Sequence, residues 1–289
     1  MYAGNLKQSI GLVGVANARE LGGYSSKDGR IVRHGVLLRT GRLFSGSEED
    51  IRSLSEEYHV EKVIDFRSDF EMSGSALFAA FSGSSEKSPD PVPEGAEYLN
   101  LPVMDIESML TSEESGKEEK EEMLSDTSKL IDSLVANELL GVGLYIGFLE
   151  NKMGKQAYSR LFRELLELGE GRALLFHCTQ GKDRTGTAAM LILSALDVDE
   201  KTIIDDYVLS NAYNADSIAK KRAKLEKTGR MSPESIEKYL IAFESVDSSN
   251  MSGAIAFLKE KYGSVKDYII TGLGVSEADM LRLKEKFLE

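Results

Sequence analysis

The sequence predicts an α/β fold with a mostly parallel central sheet and additional helices towards the C-terminus. Short apolar runs rich in β-forming residues alternate with helical patterns through the first two thirds of the chain. Residues 199–289 carry an almost uninterrupted helical pattern. Strands separated by helices are typical of parallel sheets, because a helical crossover lets the next strand run in the same direction. We therefore expect residues 1–289 to form a single domain, with a helical capping region near 212–246.

The individual elements follow from local composition. Ser47 and the acidic residues after it indicate a helix start, and Gly169 and Gly171 indicate a helix end. The stretch 82–95 contains three of the five prolines, at 89, 91 and 93, which predicts a loop. We expect strands near 35–39, 60–66, 98–103 and 173–176, and helices near 47–58, 128–152, 155–168 and 185–196.

An acidic, serine-rich stretch near 105–127 stands out from the rest of the chain. Dense like charge and few apolar residues are typical of a solvated helix or of a mobile insert. A binding role is the alternative, and a solvated or mobile segment is favoured over it. We therefore predict a mobile acidic insert there.

Bulk composition excludes several classes of function. The formal net charge of −13 disfavours nucleic acid and anionic lipid as general partners. One cysteine and three histidines leave no internal disulfide or Cys-rich zinc site, so neither a metal nor another cofactor is expected. No apolar run is long enough to span a membrane, which predicts a cytoplasmic protein, or a secreted one if a leader was removed. The composition does not indicate an oligomeric state.

The segment HCTQGKDRTG, residues 177–186, follows the apolar strand ALLF and precedes an apolar helix. Ligands of open α/β sheets bind where strands end, and a turn into a helix offers free backbone N–H groups and a favourable dipole to an anion. The same groups favour the thiolate of Cys178, as does the guanidinium of Arg184. Arg184, six residues after the cysteine, can bind two phosphoryl oxygens with its planar fork. This pattern predicts a phosphate-binding loop with a nucleophilic cysteine, and the alternative of a purely structural cysteine is far weaker.

Other residues of the loop suit the same chemistry. Gly181 permits a tight backbone cradle, Lys182 adds positive charge, and Thr185 can hydrogen-bond the sulfur when it leaves. His177 is expected to shape the loop through backbone hydrogen bonds rather than to act as a base. We assign catalysis to Cys178 and Arg184, and substrate binding to Thr179, Gln180, Gly181, Lys182, Thr185 and Asp65.

The loop resembles that of the atypical bacterial protein-tyrosine phosphatases, the PtpB/LipA-like tyrosine and lipid phosphatases, whose loop reads HCxxGKDRTG. Ala18, Glu20 and Thr40 are mild departures from the family pattern. The resemblance implies a tyrosine-phosphatase-like domain that acts without a metal. It extends over most of the chain, through the segments NARELGG (17–23), LRTGRL (38–43), VIDFRS (63–68), DYVLSN (206–211) and YGS (262–264).

Cleavage of a phosphate ester needs a proton for the leaving oxygen. The chain has no tryptophan, so the Trp-Pro-Asp loop of conventional tyrosine phosphatases is absent in its usual form. The resemblance implies that Asp183 is the acid. Asp65 and Asp105 are the other candidates, and Asp183 could instead only orient Lys182 or Arg184.

These observations predict a phosphatase that hydrolyses phosphate monoesters through a phosphocysteine. Its substrate would be a phosphorylated protein, carrying phosphotyrosine or phosphoserine and phosphothreonine, or a phosphoinositide, with a phosphate ion held in the loop. A catalytically silent phosphate-binding module and a rhodanese-type sulfurtransferase are the alternatives. One basic cluster could be a solvated helix face or a patch that steers polyanionic substrates; it comprises Lys220, Lys221, Arg222, Lys224, Lys227 and Arg230.

Overall fold

A computed structural model describes residues 8–73, 89–105, 140–229 and 231–289. Within these ranges the chain forms a five-stranded sheet with strand order β1-β2-β5-β3-β4, in which only the β1–β2 pair is antiparallel. The predicted α/β class with a mostly parallel sheet is confirmed. The strands are β1 (Arg19–Glu20), β2 (Leu37–Thr40), β3 (Val60–Asp65), β4 (Glu97–Asn100) and β5 (Ala173–His177).

Strand β5 lies in the middle of the sheet, paired on one side with β2 and on the other with β3. All five of its residues are buried, which explains why its sequence ALLFH is apolar up to the last position. On one face of the sheet, Leu175 packs in a cluster with Ile10, Leu43 and Leu54. On the other face, Leu174 and Phe176 belong to the main core, which the C-terminal helices complete.

The helices are close to those expected from the sequence. The Ser47 side chain caps the first helix by accepting from the Asp50 backbone N–H, and the Asp50 carboxylate accepts from the Ser47 backbone N–H. The chain turns sharply at Asn151, which ends one helix and caps the next. The helices are α1 (Glu48–Glu56), α2 (Asp69–Met72), α3 (Val142–Glu150), α4 (Lys152–Glu167), α5 (Asp183–Ala195), α6 (Glu200–Tyr213), α7 (Ala215–Thr228), α8 (Pro233–Tyr239), α9 (Ser248–Tyr262), α10 (Val265–Asp267) and α11 (Glu277–Phe287).

Some predictions fall partly or wholly outside the described residues. The described part of the helix expected near 128–152 contains α3. The described part of the loop expected near 82–95 is residues 89–95, which are neither helix nor strand. Apart from Asp105, the acidic stretch near 105–127 lies outside the described residues. The strand expected near 98–103 ends at Asn100. Beyond it, the Leu101 amide donates to the carbonyl of Asp65, the last residue of β3, and the Val103 amide donates to the carbonyl of Phe66, the next residue. Among the described helices, none has the length and apolar character needed to cross a bilayer.

Candidate active site

The loop between β5 and α5 brings the predicted nucleophile to the carboxyl edge of the sheet. Cys178 follows the last residue of β5 and is only 2% exposed. Helix α5 begins at Asp183, and all its other residues are buried, so the core fixes its position. The loop is therefore held at both ends by elements that cannot easily move.

The carbonyl groups of this loop are bound by residues outside it. The Thr179 carbonyl accepts from the amide of Arg42, and the Gln180 carbonyl accepts from the side chain of Asn17. The Gly181 carbonyl accepts from Asn17 at 2.7 Å and from Arg39 at 2.8 Å. Consecutive carbonyl groups are thus turned towards the surrounding protein.

The amides of the same loop are left without acceptors. From Thr179 to Arg184, no backbone N–H donates a hydrogen bond to any residue that the structure describes. The last of these amides lie at the N-terminus of α5, where the helix dipole favours negative charge. Free amides at this position suit an anion with several acceptor oxygens, such as a phosphoryl group.

Gly181 is required by the shape of this loop. Its φ of +66° lies in the left-handed region, and a Cβ built there would come within 2.3 Å of the Thr40 carbonyl oxygen. Any other residue would therefore strain the backbone and collide with the end of β2. The glycine expected from the sequence is needed for both reasons.

The guanidinium of Arg184 uses some of its N–H groups for contacts within the protein and leaves others available. Its two terminal nitrogens each donate to a carboxylate oxygen of Glu71 at 2.6 Å, and Nη1 also donates to the Phe66 carbonyl at 3.2 Å. The Nε–H makes no hydrogen bond with a described residue. A guanidinium carries five N–H groups, so the edge formed by Nε and one Nη remains able to bind an oxyanion.

Glu71 was not anticipated from the sequence. Burial alone would raise the pKa of this carboxyl, but Arg184, the Ser68 amide and the Thr179 hydroxyl hold it below its ordinary value. The pKa of Arg184 is raised despite burial, because Glu71 lies against it. The pattern Ser68-x-x-Glu71 directly after β3 is a capping box, and that signal could have drawn attention to the residue.

A buried ion network holds the loop from behind. Asp206 of α6 accepts hydrogen bonds from Arg19 at 3.1 Å and from Arg39 at 2.5 Å, and Arg39 in turn holds the Gly181 carbonyl. Burial and the nearby Arg19 lower the pKa of Arg39 to about 10, against the opposing effect of Asp206. Arg19 also donates to Asn17. Three of the segments that carried the family resemblance, 17–23, 38–43 and 206–211, therefore meet behind the loop.

Asp183 belongs to the loop segment itself, and its side chain is more accessible than that of Asp65. Its side chain is 24% exposed and lies 2.9 Å from the ammonium group of Lys182. Its other carboxylate oxygen accepts a hydrogen bond from the hydroxyl of Tyr145, on α3, at 2.5 Å. Tyr145 is a second site residue that the sequence did not reveal, because nothing in the pattern of α3 separates it from a core tyrosine.

Asp65 lies in a different setting. It is fully buried at the end of β3, where it accepts from Arg67 at 2.6 Å and from the Tyr98 hydroxyl at 2.8 Å. Burial acts to raise its pKa, but His177 and Arg67 outweigh that effect and lower it. A carboxyl held ionised in this way is a poor proton donor. Asp105, the third candidate, is exposed at the edge of a described range.

Asp65, Asp90 and His177 offer ligand atoms within 4.8 Å of one another, a grouping that could hold a metal ion. However, Arg67 donates to both carboxylates, at 2.6 Å to Asp65 and 2.9 Å to Asp90. The guanidinium therefore already supplies the positive charge that these acids need. His177 itself is fully buried, with its Nδ1 3.4 Å from the Cys178 carbonyl oxygen.

The remaining loop residues have distinct surroundings. The hydroxyl of Thr179 donates to Glu71 at 2.8 Å. The hydroxyl of Thr185 is buried and has no hydrogen-bond partner within the described chain. An unpaired buried hydroxyl is costly, so a group that binds at the loop, or the cysteine sulfur itself, is the natural partner for Thr185.

The region expected to cap the pocket contacts the loop directly. The segment Leu240–Glu244 places Glu244 2.6 Å from the side-chain nitrogen of Gln180. The Lys182 ammonium lies 3.4 Å from the carbonyl oxygen of the adjacent Ser245. Two loop side chains are thus tied to the C-terminal helical region.

The residues of the basic cluster on α7 differ in their exposure and in their partners. Arg222 forms an exposed ion pair with Glu237 of α8. Lys221 is partly buried, which lowers its pKa, and its ammonium lies 5.6 Å from the centre of the Tyr239 ring. Glu244 opposes the shift, whereas Lys224 and Arg42 add to it, so these charges lie near one another beside the loop. Arg230 lies outside the described residues.

Comparison with known proteins agrees with this geometry. A family model described as a tyrosine phosphatase family matches residues 10–289. The chain is 28% identical to a protein of Cupriavidus necator named as a tyrosine-protein phosphatase, over 95% of this chain and 86% of the relative. It is 26% identical to the triple specificity protein phosphatase PtpB of Mycobacterium tuberculosis, over 86% of this chain and 91% of the relative.

Proposed function

Because the chain belongs to the tyrosine phosphatase family, and is therefore a phosphatase, we propose that it hydrolyses phosphate monoesters through a covalent phosphocysteine on Cys178. The observation that carries this proposal is the loop itself. Its amides from Thr179 to Arg184 have no acceptor among the described residues, while its carbonyls are bound by Arg42, Asn17 and Arg39. A phosphoryl group seated there would bring phosphorus next to the sulfur.

The first step transfers the phosphoryl group to sulfur. The Cys178 thiolate attacks phosphorus, the S–P bond forms, and the bond from phosphorus to the ester oxygen breaks. The amides and the free edge of Arg184 stabilise the negative charge on the equatorial oxygens, which is the largest contribution expected from a preorganised site. Asp183 gives its proton to the departing oxygen.

The second step returns the enzyme to its starting state. Water attacks phosphorus, its proton passes to Asp183, and the S–P bond breaks to release phosphate and the thiolate. The buried hydroxyl of Thr185 can donate to the sulfur as it leaves. Among the candidate acids, accessibility and closeness to the loop favour Asp183, whereas Asp65 is buried and ion-paired.

We propose phosphotyrosine as the main substrate. Phosphoserine, phosphothreonine or phosphoinositides are further substrate classes that the enzyme would accept. A relative named as a triple specificity protein phosphatase supports activity on more than one class of substrate. The contacts of Gln180 and Lys182 with residues 244–245 support a capping role for the helical region near 212–246. A silent binding module and a sulfurtransferase are less favoured, because the relatives are named as phosphatases and both Cys178 and Arg184 are present.

The test is the hydrolysis of para-nitrophenyl phosphate with a chelator present. We expect activity that vanadate inhibits and that the variant Cys178→Ser lowers by on the order of 10⁶-fold, as in other enzymes whose nucleophile is removed. Mass spectrometry after acid quenching should find the phosphoryl group on the peptide that contains Cys178. The variant should keep its melting temperature and still bind phosphate. Undiminished turnover by Cys178→Ser, or loss of all activity with the chelator, would contradict the proposed mechanism.

A further inference from the structure

The carboxyl group of Asp183 lies at the end of a hydrogen-bonded chain of two tyrosine hydroxyls, those of Tyr145 and Tyr207, that runs into the core. The hydroxyl of Tyr145 lies 2.5 Å from an Asp183 carboxylate oxygen and 2.5 Å from the hydroxyl of Tyr207, on α6. Both tyrosines are almost completely buried, at 2% and 1% exposure. Their rings meet edge to face, with centroids 5.8 Å apart and planes at 89°. Packing therefore fixes both hydroxyls relative to the carboxyl group.

A tyrosine hydroxyl differs from an ammonium group in one important respect. Lys182 can only donate, so it cannot accept the proton of the carboxyl group, and its ion pair with Asp183 is lost when the carboxylate is protonated. The Tyr145 hydroxyl can donate to the carboxylate or accept from the protonated carboxyl. In the second case its own proton can turn to the oxygen of Tyr207. The contact between Asp183 and Tyr145 can therefore persist in both protonation states.

The charged and titratable side chains that face this carboxyl group come from few elements. Lys182 and Arg184 face it from the loop and the start of α5, Tyr145 from α3 and Tyr207 from α6. Burial, with Asp183 and Tyr207 beside it, raises the pKa of Tyr145 well above the ordinary value. Tyr145 thus keeps its proton throughout the working range of pH and acts as a hydrogen-bonding partner, not as a proton source.

We propose that Tyr145 is a positioning residue for Asp183, which holds the carboxyl group in one orientation both before and after proton transfer, with Tyr207 as its supporting partner. Proton donation and acceptance by the same carboxyl group require its position to be kept through both steps. This inference rests on the proposed role of Asp183 as the acid.

The variant Tyr145→Phe tests the proposal through the pH profile of kcat/KM on a series of aryl phosphates. The hydrogen bond that Tyr145 donates to the ionised carboxylate is about twice as strong as the one it accepts from the neutral carboxyl group. Its loss therefore disfavours the ionised form more, and the protonated acid persists to higher pH. We expect the alkaline limb to move upward by about one pH unit. With a poor leaving group, kcat should fall by about 10-fold, whereas KM should change little, because misplacement affects proton transfer more than binding.

Tyr268→Phe is the matched control. Tyr268 is fully buried, and its hydroxyl donates to the Leu149 carbonyl at 2.5 Å near the other end of α3, away from Asp183. Both variants lose one buried hydroxyl, but only Tyr145→Phe should move the alkaline limb. If both move it equally, or if neither does, the inference is wrong. Tyr207→Phe should give a smaller shift in the same direction, and it provides a second measurement if Tyr145→Phe folds poorly.

Asp183→Asn separates this inference from the function on which it rests. Selective slowing of substrates with poor leaving groups would support Asp183 as the acid. With that result, an unmoved alkaline limb in Tyr145→Phe would overturn only the role of Tyr145. If Asp183→Asn slows good and poor leaving groups equally, the proposed acid is wrong, and the role of Tyr145 fails with it.

Discussion

Glu71 decides which donors of Arg184 remain for a substrate. By binding both terminal nitrogens, it fixes the guanidinium plane and leaves the edge that contains Nε. It also accepts from the Thr179 hydroxyl, so a single buried carboxylate orients both ends of the loop. Such pairing is needed because a buried guanidinium without a partner is strongly unfavourable.

The variant Glu71→Gln keeps the shape of the side chain but removes its charge. Arg184 would then lose the carboxylate that is paired with both of its terminal nitrogens, so we expect unfolding to become about 3 kcal/mol more favourable. We also expect kcat/KM to fall by about 100-fold, because the guanidinium is no longer held in place. Urea denaturation and steady-state kinetics measure the two effects. Glu260→Gln, at an exposed position of α9, should change neither, and a Glu71→Gln protein as stable and active as the wild type would disprove this role.

The unit formed by β5, the loop and α5 shows how elements constrain a site. β5 is fixed by two parallel neighbours and α5 by the core, so the loop between them has little freedom. Gly181 is where this constraint is greatest, since the loop passes directly over the end of β2 at Thr40.

Gly181→Ala tests that constraint against a glycine of similar backbone conformation. Gly181 and Gly171 have φ angles of +66° and +68°, but only Gly181 has atoms within 4 Å of a built Cβ. The left-handed backbone costs alanine roughly 1–2 kcal/mol at either site. Gly181→Ala should in addition lower kcat/KM by about 100-fold, because the loop must shift. Melting curves and kinetics of the two variants check this, and equal activity in both would show that the loop tolerates the contact.

At the scale of the whole molecule, buried ion pairs join segments that are distant in sequence. Asp206 connects α6 to Arg19 of β1 and Arg39 of β2, and Glu71 connects α2 to Arg184 of α5. Burial acts to raise the pKa values of both carboxyl groups, but their arginine partners lower them below the ordinary values. The stability of the fold therefore depends on pH through the same residues that shape the site.

We expect stability to fall in acid. A carboxyl group whose pKa is lower in the folded state stabilises the fold above its unfolded pKa of about 4, and this contribution disappears as the pH falls through the folded value. Urea midpoints measured from pH 7 downward should decrease below about pH 4. Asp206→Asn should be less stable at pH 7 and should show a shallower decrease, because it has lost one of these groups. An unchanged slope would exclude Asp206 from the acid response.

The sequence was most informative where chemistry requires adjacent residues. The loop 177–186, its strand and its helix are contiguous, so spacing and residue type predicted the fold class and the neighbourhood of Cys178 and Arg184. The start of α1 was predicted for the same reason, since Ser47 and Asp50 act within one turn. Local patterns could not show that Asp65 is enclosed by Arg67 and Tyr98, because Tyr98 comes from another strand.

The amino-acid sequence by itself determined the strand–loop–helix unit, its glycine and the residues available for nucleophilic chemistry. Only the tertiary structure decided which groups orient them: Glu71 on Arg184, Asp206 and Arg39 behind Gly181, and Tyr145 on Asp183. The physical reason is distance along the chain. Helical and strand patterns act over a few residues, whereas these contacts join positions up to 167 residues apart and form only when the core packs the elements together.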